Sequence, residues 1–138
     1  MLPVYEAIVN SAARLCGALM SCVFRFDGEL IHLVAEHNFS PEGMHLYREA
    51  YPLPPSRDRL IGAALRERKP VNVADVLENY RVAIGQSELG YRSVLAVPML
   101  QDDIAIGVIA VSRLHPGGWS HLVDYCGSRR GVSCRDGA

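Results

Sequence analysis

The sequence has no run of about 18 uninterrupted apolar residues, the length a membrane-crossing helix requires, and its first residues carry neither the basic segment nor the continuous apolar core of a secretory leader. These absences predict a cytoplasmic protein without a membrane partner. Positive charge is not in surplus either: 14 Lys and Arg stand against 15 Asp and Glu, for a net charge of −1. A nucleic-acid partner is set aside on that ground, because phosphate backbones are bound through excess basic charge. Cys16, Cys22, Cys126 and Cys134 form no Cys-x-x-Cys pair and read as small buried hydrophobes of a reducing compartment. His115, His121 and Cys126 match no common zinc spacing and are one ligand short, and His32 and His37 have no carboxylate or thiol at ligand spacing, so no metal is expected. The sequence also contains no Gly-rich phosphate loop and no nucleophile elbow, and no cofactor is called for.

What is present is an ordinary globular composition, 49% apolar and 21% charged over 138 residues, which suits one domain. Its densest apolar stretch is Arg92 to Leu100, then the polar break Gln101-Asp102-Asp103, then Ile104 to Arg113. The two runs are too short for two helices and too apolar for loops, which predicts a buried hairpin of central strands covered on both faces. Pro98 removes a ladder donor and predicts a bulge or bend. Gly107 is expected to let a helix or ligand approach the backbone closely.

Upstream, Val4, Ile8, Ala12, Leu15 and Leu19, widened by Val9, Ala13 and Cys16, predict an amphipathic helix over residues 3 to 19, with a stripe broad enough for the sheet and a second partner. Ser21 to Phe26 and Glu29 to Glu36 read as strands joined by a two-residue Asp27-Gly28 turn, with Ile31, Leu33 and Ala35 on one side of the second strand. Ser40 is an N-cap candidate with Pro41 in the first turn of a short helix reaching Ala50. Pro52, Pro54 and Pro55 then hold the chain extended until Asp58 or Ser56 caps a helix that ends in Arg66, Arg68 and Lys69. A short strand at 70–74, a capped turn at 75–80 and a short helix at 86–89 complete the reading. The polar and aromatic groups between them, Tyr80 and Arg81 through Tyr91 and Arg92, form the expected lip of a pocket.

Three pieces of this sequence resemble a GAF domain, a small sensory module of signalling proteins. They are Leu53-Pro54 leading into Leu60 to Leu65, Lys69-Pro70-Val71-Asn72-Val73-Ala74-Asp75, and Gly90 to Met99 followed by Ile106 to Val111. The resemblance implies an α+β, PAS-like fold: a twisted antiparallel sheet of five or six strands with helices on both faces and a small-molecule pocket over it. It also implies a homodimer through the N-terminal helix and an attached kinase, cyclase or transcriptional effector. Residues 1 to 114 are expected to be the single domain. In the family the last strand is followed by an aromatic-Ser/Thr start and a long amphipathic helix. Here Gly118-Trp119-Ser120 matches the start and the helical pattern then dissolves, so residues 115 to 138 are expected to be a frameshifted or truncated remnant, or a poorly ordered tail.

Candidate ligand-binding residues are Tyr51, Ser56 and Arg57 from the proline loop, Tyr80, Tyr91 and Arg92 from the lip, and Ser93 on the strand, with an arginine suited to an anionic ligand. The plainer alternative has the arginines solvated and the tyrosines packed. The expected function is non-catalytic binding of a small molecule, with a dimerisation module whose pocket is vestigial as the alternative. Some relatives reduce free methionine sulfoxide with pocket cysteines and others attach a bilin through one. Residues 40 to 92 hold no cysteine, which argues against both, and the Asn-Lys-Phe-Asp-Glu pattern of cyclic-nucleotide-binding relatives is missing.

Overall fold

The apolar hairpin is the middle of the sheet. In a computed structural model, which describes residues 2–79, 86–117, 119 and 132–133, β4 (Ser93–Gln101) and β5 (Ile104–Arg113) pair antiparallel along nearly their whole length. Asp102 and Asp103, both at positive φ, make the two-residue turn whose twist suits a hairpin. β1 (Met20–Phe26) pairs with the free side of β5, β2 (Ile31–His37) with β1, and β3 (Val71–Val73) with β4, giving the antiparallel order β2-β1-β5-β4-β3. A short β6 (Val132–Ser133) runs parallel to β4 at Met99 and Leu100. The register with β5 shifts between Met99 and Leu100, one residue beyond Pro98.

Helices cover both faces. On one lies α1 (Leu2–Cys16), which buries Val9 and Ala13 and partly buries Tyr5, Ile8, Ala12 and Cys16 against Val23, Ala35, Leu95, Val97, Met99, Val111 and Trp119. On the other, α2 (Pro41–Ala50), α3 (Arg59–Glu67) and α4 (Val76–Asn79) close over Cys22, Phe24, Ile31, Val73, Val94, Ala96, Val108 and Ala110. α5 (Gln86–Leu89) rests on α2: Leu89 lies where a Cβ at Gly43 would stand. The caps follow the sequence. Ser40 Oγ accepts from the Gly43 amide at 3.1 Å, and Asp58 Oδ1 from the Ile61 amide at 3.0 Å.

Several local expectations are corrected. α1 stops at Cys16, because Gly17 turns at φ +63° and Leu19 already bonds to the Ser112 carbonyl. The turn after β1 spans Asp27 to Leu30 rather than two residues: Asp27 Oδ1 accepts from both the Glu29 and Leu30 amides, and pairing resumes at Phe26 with Ile31. A register shift after Val23 sends Ala35 to the α1 face while Ile31 and Leu33 stay on the other, so strict alternation fails along β2. The proline stretch is not extended throughout. Leu53 bridges to Ile31, Tyr51-Pro52 is cis, and Pro55–Arg57 forms a 3-10 turn. At Gly107 the close neighbours are the Phe24 carbonyl of β1 and the Met99 side chain, so the close approach is by a neighbouring strand rather than a helix. Tyr80, Arg81 and most of the tail lie outside the described residues.

At the far end of β5, Arg113 gathers both ends of the domain. Its guanidinium donates to the Cys16 and Gly17 carbonyls at 3.2 and 3.3 Å and stacks 3.7 Å over the Trp119 ring. The Trp119 amide donates to Asn72 Oδ1 at 3.2 Å and the Gly117 amide to the Ala74 carbonyl at 2.9 Å, which fastens the segment after β5 beside β3.

Candidate ligand-binding cavity

Strand alternation aims Cys22 and Phe24 of β1, Val94 of β4 and Ala110 of β5 at the face under α2 and α3. Between that face and the helices lies a cavity of about 40 Å³, lined also by Phe39, Tyr47, Tyr51, Asp58, Leu60, Ile61, Leu89, Tyr91, Ser21 and Ser112. That volume accommodates about three water molecules. Aromatic rings take much of the remaining space. Phe24 and Tyr51 stand 5.1 Å apart between centroids, Tyr47 and Tyr51 5.6 Å, and Phe39 meets Tyr47 edge-on at 4.9 Å.

Asp58 is the charged group of this wall. It is 6% exposed, and its two oxygens are divided between the α3 cap and the Tyr51 hydroxyl, which donates to Oδ2. Burial raises the Asp58 pKa above its usual value, against the hydrogen bonds from Tyr51 and the Ile61 and Leu60 amides, which favour the ionised form. Burial and then the Asp58 charge push Tyr51 upward, and burial does the same to Tyr47. The Cys22 thiol is raised far above the ordinary range by burial, with Asp58 and Glu36 adding to it, so it stays protonated at neutral pH.

Of the residues singled out from the sequence, Tyr51 and Tyr91 line the cavity together. Ser56 and the exposed Arg57 sit in the 3-10 turn outside its wall. Arg92 is held in a two-pronged pair with Asp75, Nε to Oδ1 at 3.0 Å and Nη2 to Oδ2 at 2.6 Å, which lowers the Asp75 pKa and raises that of Arg92. Ser93 is fully buried in β4, next to Val94 but by alternation on the opposite face with Leu95, and its hydroxyl has no hydrogen-bond partner. Tyr80 lies outside the described residues. Sequence reasoning missed Cys22, Phe24, Phe39 and Tyr47, and placed Asp58 only as a cap. Residues 40 to 92 hold no cysteine, but β1 supplies Cys22 to the cavity from the sheet.

A sheet in this order, roofed by helices over a small cavity, can be compared with known proteins. The family model of the GAF domain matches residues 1–123. The chain belongs to the GAF domain family. Solved structures agree on the fold. The GAF domain of a phosphoenolpyruvate-protein phosphotransferase from Acinetobacter is 20% identical with a TM-score of 0.73, over 94% of this chain and 76% of that one. The GAF domain/HD domain protein from Geobacter sulfurreducens is 19% identical with a TM-score of 0.68, over 94% and 90%. A free methionine-R-sulfoxide reductase from Neisseria meningitidis, solved with its substrate, is 17% identical with a TM-score of 0.71, over 94% and 72%. No curated protein sequence matches this GAF domain. Among the described residues no helix is long and apolar enough to cross a membrane, and no cluster of His, Cys, Asp or Glu fits a metal ion.

Proposed function

We propose that this chain is a non-catalytic sensory module that binds a small molecule in the cavity under α2 and α3 and passes its occupancy to a dimer partner or an effector domain. The observation that carries this reading is the cavity itself, in which a buried carboxylate and tyrosines are set in apolar walls, the usual make-up of a small-molecule site. An effector partner is in keeping with a similar structure that is a GAF domain/HD domain protein. The dimer would form on the outer side of α1, where Val4 and Leu15 stay exposed and Leu19 follows just beyond the helix.

The test is a thermal-shift screen against nucleotides, amino acids and aromatic acids. Hits are expected to vanish in Ala110→Leu, which fills the cavity, provided circular dichroism shows that the variant is folded. Uniformly blank screens would favour the second reading, a dimerisation module whose pocket is filled by its own side chains, which the small free volume supports. A reductase reading is disfavoured. Cys22 is held as a thiol, and Cys16 packs on the opposite face of the sheet, with no second cavity cysteine among the described residues. Turnover of free methionine sulfoxide that is lost in Cys22→Ser would reverse that judgement.

A further inference from the structure

We infer that the cavity is built for a small organic ammonium ion, held by the Asp58 carboxylate beside a cluster of aromatic rings; this rests on the sensory reading above and names its ligand class. Among the described residues that line the cavity there is no Lys, Arg or His, and Asp58 is the one formally charged member. An anion entering this space would face a buried carboxylate, and no described lining residue offers a cation to offset it. The nearby arginines do not supply one, since Arg92 is committed to Asp75 outside the wall and Arg57 is exposed in the 3-10 turn.

Two observations separate this from a carboxylate that merely caps a helix. First, capping α3 requires one acceptor, Oδ1, and an uncharged Asn at this position caps a helix as well as Asp does. The charge is therefore surplus to the cap, and the second oxygen is turned to Tyr51 at the cavity wall. Second, Phe24, Phe39, Tyr47 and Tyr51 form a continuous chain of rings with successive centroids 4.9 to 5.6 Å apart, all on the wall that carries Asp58. Aromatic rings attract cations, and aromatic side chains together with a carboxylate are the chemistry that recognises alkylated ammonium groups. A volume of about 40 Å³ suits a methylammonium-sized head. Larger heads need Leu89 to withdraw from its seat on Gly43.

The experiment uses methylammonium, tetramethylammonium and choline chlorides, their neutral isosteres tert-butanol and 3,3-dimethylbutanol, and sodium acetate and pivalate, at one ionic strength. Binding is read by calorimetry and thermal shift on the full chain. The ammonium ions are expected to bind at least tenfold more tightly than the neutral isosteres. Asp58→Asn, which keeps the cap, is expected to lose at least tenfold of that affinity, while Asp75→Asn, outside the cavity, keeps it. Equal binding of the neutral isosteres, preference for the carboxylates, or full affinity in Asp58→Asn would overturn the cation and leave a sensory cavity standing. No binding of any probe, even to Leu89→Ala with its enlarged opening, would overturn the cation as well, and the sensory reading would then fall only if the wider screen above were also blank.

Discussion

Asp58 divides its two oxygens between a helix cap and a buried tyrosine, and its titration exposes the cost of placing charge there. Because burial raises its pKa in the fold above the usual 3.8, its contribution to stability is fully present below pH 3.8 and fades as pH rises through the folded value. Asp58→Asn removes that dependence without removing the cap. Urea titrations from pH 3.5 to 8 are therefore expected to show wild type losing ground to the variant as pH rises. A gap that widens in favour of wild type toward neutral pH would mean that the Tyr51 and amide bonds outweigh desolvation. Asp75 behaves in the opposite sense. Its pKa is lowered by Arg92, so its contribution holds above pH 3.8 and is lost as pH falls through the lowered folded value. At this scale the sequence was only partly readable. Asp58 announces itself as a cap by its place before Leu60 and Ile61, but its burial against Tyr51 depends on a proline loop whose path no local rule dictates.

Among the elements, those with strong local chemistry were legible. The β4–β5 hairpin follows from two Val- and Ile-rich runs, and the start of α2 from Ser40-Pro41. What the sequence did not disclose came from tertiary contacts that override local preference, as at the register shift in β2 and at the seat of α3. α3 packs so closely on the 3-10 turn that a Cβ at Gly62 would collide with the Pro55 carbonyl. Gly62→Ala, which would strengthen an isolated helix, is therefore expected to cost about 1–3 kcal/mol here, read from the urea midpoint. A gain in stability would show that the turn yields freely. Gly107 carries the same lesson in the sheet. Its missing side chain serves the neighbouring strand rather than a helix, a distinction that pairing decides and composition does not.

For the whole molecule, the two faces of the sheet divide the work: one is sealed by α1, the other encloses the cavity. The sequence places the pocket between residues 40 and 92, yet half of its lining residues lie outside that span, and Ser21, Cys22, Phe24, Ala110 and Ser112 come from β1 and β5, far away in sequence. Such assembly is a matter of topology and is invisible to any short window. α1 was legible as amphipathic, but its stripe is split, with Val9 buried and Leu15 left 76% exposed. If that outer side joins two copies, Leu15→Glu is expected to shift sedimentation from dimer to monomer with the far-ultraviolet spectrum unchanged; an unaltered sedimentation coefficient would place self-association elsewhere or remove it. The grip of Arg113 on the last turn of α1 and on Trp119 adds a mechanical consequence. Ser112, its neighbour in β5, borders the cavity, so one strand end is shared by the cavity wall and by the joint that ties the entering helix to the departing segment.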